Sequence, residues 1–209
     1  MARYGKEHKQ ETRRRIVETA GRRLKRDGID GSGVATLMAD AGLTNGAFYA
    51  HFDSKEDLVA AAVADQLRRQ REVVSVETPG LAGVEQIVRA YLSVEHRDRP
   101  EDGCPSAALL DEIGRCANRT RDAYSDGLMA IIDDIAARLA PRDPGSIRVA
   151  VLAVYAGMVG TVQLSRTLTN QKLADQLLRQ GIVHALTALA TIEKAKSRRG
   201  GHHGASRPR

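Results

Sequence analysis

Apolar residues recur every three to four positions through most of the chain, and Gly, Pro and capping residues cut this pattern into helical segments. The first runs over 7–27, where Ile16, Ala20 and Leu24 repeat every four residues beside Val17, opposite a basic face, and Gly28 ends it. A short helix over 34–41 follows, preceded by Ser32 or Gly33 as cap, with Val34, Leu37, Met38 and Ala41 as its buried stripe. Gly42 supplies a turn, and Thr44 is placed to cap a second short helix over 45–51. Two short helices joined by a tight connection form a helix-turn-helix pattern. Ser54 with Asp57 three residues later reads as a capping arrangement opening a helix that continues to about residue 75.

A break at Thr78, Pro79 and Gly80 starts a second helical set. It reads as an amphipathic helix over 81–96, a polar loop over 97–105, a short helix capped by Ser106, and a longer one from Asn118 or Thr120 to Leu139. Pro141 and Pro144 then interrupt the pattern. The segment 147–168 is apolar over most of its circumference, which predicts a buried helix, and Gly157 and Gly160 would let another helix approach closely. The last helix, over 171–194, carries Leu173, Leu177, Leu178, Ile182, Val183, Leu186 and Leu189. That is too much apolar surface for a lone solvent-facing helix; pairing across a dimer covers it, and so does internal packing within one chain. The division expected is 1–54 with a linking helix over 55–75, then 79–194, then a mobile basic tail over 195–209.

Composition narrows the function. At 209 residues and 42% hydrophobic, the chain is long enough to bury a real core. Its net charge of +6 is unevenly spread: residues 1–26 carry ten Lys or Arg against three Glu, the stretch from Lys194 adds six cations, and 27–193 hold 16 basic and 23 acidic residues. A basic amino-terminal unit on an acidic body suits a polyanion such as DNA, with salt-dependent affinity, although a solvated face or a weak membrane-surface patch carries the same charge. No apolar stretch follows the amino-terminal basic residues, and the apolar run over 149–160 is shorter than the roughly 20 residues a span requires, so a cytoplasmic protein without a membrane partner is expected. Cys104 and Cys116 lack the spacing of a disulfide framework or a structural zinc site, and the adjacent His202 and His203 lack a rigid ligand geometry, so neither metal nor cofactor is expected. Enzymatic motifs are absent too: there is no GxSxG, HExxH, P-loop or dinucleotide-binding glycine pattern.

Three of the seven aromatic residues, Phe48, Tyr49 and Phe52, fall within five positions of the second short helix. On an α-helix Phe48 and Phe52 share the core side, and Tyr49 turns toward the face of Asn45, where its hydroxyl can reach a phosphate. Gly46 and Ala47 keep that helix slim enough for a major groove about 12 Å wide. Asn45 suits adenine, Ala47 a thymine methyl, and His51 the groove edge or a phosphate. Lys55, with Arg13, Arg14 and Arg15 of the first helix, suits phosphates.

The stretches TRRRIVETA and VATLMADAGLTNGAFYAHFDSKEDLVAA resemble the amino-terminal domain of TetR/AcrR-family transcriptional regulators over about residues 12–62. The resemblance implies an all-α, TetR-like protein: a three-helix DNA-binding domain followed by a helical ligand-binding and dimerisation domain, with the last two long helices forming a homodimer on a palindromic operator. It puts Asn45, Gly46, Ala47, Tyr49 and His51 on the recognition helix, with Thr44, Tyr49 and Lys55 near phosphates. Gly33 departs from the Ser or Thr usual at that position. Such proteins usually act as repressors released by a small effector, for which Tyr91, His96, Tyr124, Tyr155, Met158 and Gln163 are the candidate lining. The segment GCPSAALL resembles one in a subset of the family, some of whose members sense reactive compounds. This makes Cys104, read as lying near a helix start beside His96 or Arg residues, a candidate thiol sensor. A non-catalytic, partner-binding helical protein is the third reading.

Overall fold

The computed structural model describes residues 2–76 and 80–200, with side chains over 6–75 and 80–195. The described residues form nine α-helices: α1 Ala2–Asp27, α2 Val34–Asp40, α3 Lys55–Val76, α4 Gly80–Tyr91, α5 Val94–Asp98, α6 Pro105–Arg115, α7 Asn118–Leu139, α8 Arg148–Thr167 and α9 Gln171–Gly200. Three 3-10 helices, Asn45–Ala50, Pro100–Asp102 and Pro144–Ile147, lie between them. No strand occurs among the described residues, so the all-α expectation holds.

These elements group into two compact units: residues 1–72 with 99–129, and 73–98 with 130–209. The grouping differs from the single cut expected near Pro79, because α6 and the first half of α7 pack with the amino-terminal helices. Side chains that a linear reading leaves unassigned account for this. Glu112 of α6 accepts the Ile29 and Asp30 amides at 2.7 and 3.2 Å. These amides follow Gly28, whose φ of +82° ends α1. Arg119 of α7 pairs with Asp57 of α3 at 2.6 Å.

In the first unit Ile16, Ala20 and Leu24 of α1 are buried with Leu37 and Met38 of α2, Phe48, Phe52, and Leu58 and Leu67 of α3. Gly42, at φ +69°, makes the tight connection after α2. Several capping expectations need correction. Ser32 does not cap α2: its hydroxyl donates to the Gly28 carbonyl at 2.7 Å, closing the preceding loop, and Gly33 occupies the cap with no side chain to offer. Thr44 holds the cap position of the next helix through its backbone alone. Cys104, not Ser106, caps α6: its Sγ accepts the Ser106 amide at 3.3 Å, with Pro105 in the first turn. The Ser54–Asp57 arrangement does form, with the Asp57 amide donating to Ser54 Oγ at 3.1 Å.

In the second unit the helix expected over 81–96 is broken. Ser93 Oγ accepts the His96 amide at 3.1 Å and starts α5 as a separate helix. The loop expected from Arg97 onward therefore begins with a buried cation: Arg97 donates to Asp98 and, at 2.6 Å, to Asp175 of α9. These carboxylates hold its guanidinium more firmly protonated than usual and lower the pKa of Asp98. Arg166 of α8 donates to the His96 and Arg97 carbonyls.

Helices α8 and α9 pack against each other, and a Cβ at Gly181 would lie 2.7 Å from Thr161 Cγ2. Yet α8 is not buried around its circumference as expected. Val151, Tyr155, Met158, Val159 and Val162 are buried, whereas Val149 and Leu164 face outward. The apolar stretch is also longer than the sequence reading allowed: 144–167 is 24 residues and meets the length and composition of a span, with a third of its most apolar window buried inside the protein. The tail expected to be mobile from residue 195 begins as the end of α9, which runs to Gly200; the stretch 201–209, with His202 and His203, lies outside the described residues.

Candidate nucleic-acid interface

The candidate reading segment is a 3-10 helix, not the expected α-helix. Its amides bond three residues back, from Ala47 to the Thr44 carbonyl at 3.1 Å and from His51 to Phe48 at 2.9 Å. Side chains three apart then align, so Tyr49 stacks above Gly46 and not on a common stripe with Asn45. The core assignment survives this change. Phe48 and Phe52 are buried and stack with centroids 5.8 Å apart. Tyr49 meets Phe48 edge-on at 5.2 Å and is 75% exposed.

Thr44, Asn45, Gly46 and Tyr49 are all exposed, and a side chain added at Gly46 would meet nothing within 4 Å. Ala47 is half-buried. His51 is also half-buried; its Nδ1 is buried without a hydrogen-bond partner among the described residues. Burial and the charges of Lys9 and Arg13 lower its pKa from the ordinary 6.5. Lys55 is more occupied than expected, since its ammonium donates to the Ile29 carbonyl at 2.6 Å. Arg13 lies over the Phe52 ring, Arg14 pairs with Glu11 at 2.8 Å, and Arg15 is exposed.

The candidate effector residues divide between the units. Tyr91, His96 and Tyr155 cluster in the second: Tyr91 lies 4.5 Å from His96 and 5.5 Å from Tyr155 between ring centroids, and His96 Nδ1 is 2.6 Å from the Tyr91 carbonyl. Met158 is buried and Gln163 half-buried on the same helix as Tyr155. Tyr124 belongs to the first unit, where its hydroxyl donates to Ser106 at 2.9 Å, and burial raises its pKa. Cys104 is buried in that unit, and His96 lies in the other.

Lys25 escaped the sequence reading because a basic residue late in an amphipathic helix looks solvated. It is buried, donates to the Gly103 carbonyl at 2.6 Å, and burial pushes its pKa down to about 8 against the opposing pull of Cys104 and Asp102. Among the described residues no group of three or more His, Cys, Asp or Glu could hold a metal ion.

A short helix pair on a packed aromatic base, with an exposed polar and tyrosine-bearing face and arginines alongside, defines the class of helix-turn-helix DNA-binding regulators. Residues 16–62 match the family of bacterial regulatory proteins of the tetR type. The regulator TtgR of Pseudomonas putida is 43% identical over 61 residues, 29% of each chain, so the match spans under a third of that relative's length. Beyond this segment the likeness is one of fold. The reduced form of NemR from E. coli superposes with a TM-score of 0.69 at 18% identity, covering 84% of this chain and 95% of that one. FadR from Bacillus subtilis, in complex with stearoyl-CoA, superposes at 0.57 with 15% identity, covering 80% and 96%. A TetR-family transcriptional regulator from Agrobacterium tumefaciens superposes at 0.67 with 18% identity, covering 84% and 98%, so the described chain carries the fold of such regulators.

Proposed function

We propose that this protein is a cytoplasmic transcriptional repressor that binds a palindromic DNA operator as a homodimer and releases it when a small effector binds. The observation that carries the reading is the exposed face of Thr44, Asn45, Gly46 and Tyr49, backed by buried Phe48 and Phe52. Asn45 and Ala47 address base edges; Thr44, Tyr49, His51 and Lys55 address phosphates. The apolar residues that α8 and α9 leave exposed, Val149, Leu164, Leu173 and Val183, support pairing of two copies through these helices. A second copy places two reading segments on one duplex, which calls for half-sites about one helical turn apart or a related spacing.

Effector binding is assigned to the second unit around Tyr91, His96, Tyr155, Met158 and Gln163, where aromatic and polar groups converge; the stearoyl-CoA of FadR is a precedent for a small ligand in this fold. An effector lowers operator affinity only if it binds the released conformation more tightly. Selection of bound duplexes from a random library by the full-length protein tests the reading. Enrichment of one palindromic motif is expected, and no enrichment at low or moderate salt would refute it.

A thiol-sensing variant of this function draws on Cys104, whose Sγ accepts an amide at the start of α6 with the Lys25 ammonium close by. Its burial argues the other way. Mass spectrometry after brief alkylation decides: modification of Cys104 in the folded protein supports sensing, and protection until unfolding removes it.

A further inference from the structure

His51 is set unlike the other residues of the reading segment. It follows the exposed run directly, is only half-buried, and keeps a buried Nδ1 with no partner among the described residues. The charged groups acting on it come from α1: Lys9 and Arg13, one helical turn apart. Arg13 is fixed nearby, with its guanidinium 4.6 Å from the centre of the ring of Phe52, the residue after His51. Two cations beside an imidazole disfavour its proton, and an anion entering the same place reverses the sign of that field.

We propose that Lys9, Arg13 and His51 form a proton-linked phosphate site, where a DNA backbone phosphate is held partly by a His51 imidazolium formed on binding. The inference rests on the DNA-binding reading and adds a regulation to it: affinity for duplex rises as pH falls through the range of about 8 to 6 in which histidine titrates. In the free protein burial and the two cations disfavour the His51 proton, so forming the imidazolium on binding takes up a proton from solvent. With the phosphate in place the imidazole, Lys9 and Arg13 surround one anion, and each charge stabilises the others through it. The site reads no base, so the effect is equal on every sequence.

The test uses full-length protein and a random-sequence duplex of about 20 base pairs at low salt, where phosphate contacts alone support binding. Affinity is measured at pH 6 and 8 for the native protein, for His51→Gln, and for His8→Gln as a control on the other histidine of this region. The native protein and His8→Gln are expected to bind more tightly at pH 6 than at pH 8 by about tenfold for each unit by which His51 in the DNA complex titrates above pH 6, and His51→Gln to lose that increment. The His51 ring resonance, followed by NMR in the native protein with and without duplex, gives the same answer without a substitution: its titration should move upward when DNA is added. Equal pH dependence in the native protein and His51→Gln, or a titration unmoved by duplex, overturns the inference and leaves the DNA-binding reading standing. Absence of duplex binding at both pH values overturns that reading, and this inference with it.

Discussion

The Arg13 guanidinium lies 4.6 Å from the centre of the Phe52 ring, which joins the basic face of α1 to the aromatic base of the reading segment. The same ring is buried and stacks with Phe48 at 5.8 Å between centroids, while Arg13 itself is exposed. Arg13→Ala should cost about 0.5–1 kcal/mol in urea unfolding, the size of an exposed cation–π contact, and should also weaken DNA binding on all sequences with a shallower salt slope. Arg13→Lys is expected to retain more of the salt slope than of the stability.

Lys25 gives the first unit an alkaline signature. Its folded pKa of about 8 lies below the ordinary 10.5, so between these values the unfolded chain holds more protons than the folded one. Stability contributed by this group therefore rises with pH across that window. Unfolding of the native protein and of Lys25→Met, compared from pH 7.5 to 10.5, should show the native protein gaining up to about 3 kcal/mol on the variant. A constant difference would mean that the lysine is not desolvated.

Val183 tests how two copies meet. It is 56% exposed on α9, and a charge there is harmless to a monomer and costly in an apolar interface. Val183→Asp should shift sedimentation from dimer to monomer without changing the helical content, and should weaken operator binding through lost pairing. A native protein that sediments as a monomer at micromolar concentration would exclude the dimer.

Helical periodicity and turn residues made most elements legible in the sequence, as at Gly28, Gly42 and the Ser54–Asp57 pair, because these signals act within one or two turns of chain. The aromatic split was equally local: Phe48 and Phe52 pack inward while Tyr49 faces out. What was not legible depends on contacts distant in sequence or on competition between caps. Glu112 reaches the loop after α1 from 83 residues away, and Arg97 finds Asp175 across 78. Ser106 lost the cap of α6 because Pro105 takes the first turn and Cys104 already bonds the Ser106 amide. The 3-10 form of the reading segment was hidden because both helix types bury Phe48, and only the hydrogen bonds separate them.

The base-by-base affinity profile of the selected duplex for the native protein, Asn45→Ala and Tyr49→Phe tests most directly whether this exposed face reads DNA. Both residues are exposed, so neither change should lower stability by more than about 0.5 kcal/mol. Asn45→Ala should flatten the preference at one position of each half-site, by about 1–3 kcal/mol, while Tyr49→Phe should weaken every sequence equally. An unchanged profile in Asn45→Ala, with Tyr49→Phe binding as tightly as the native protein, would contradict the assignment of this face to DNA.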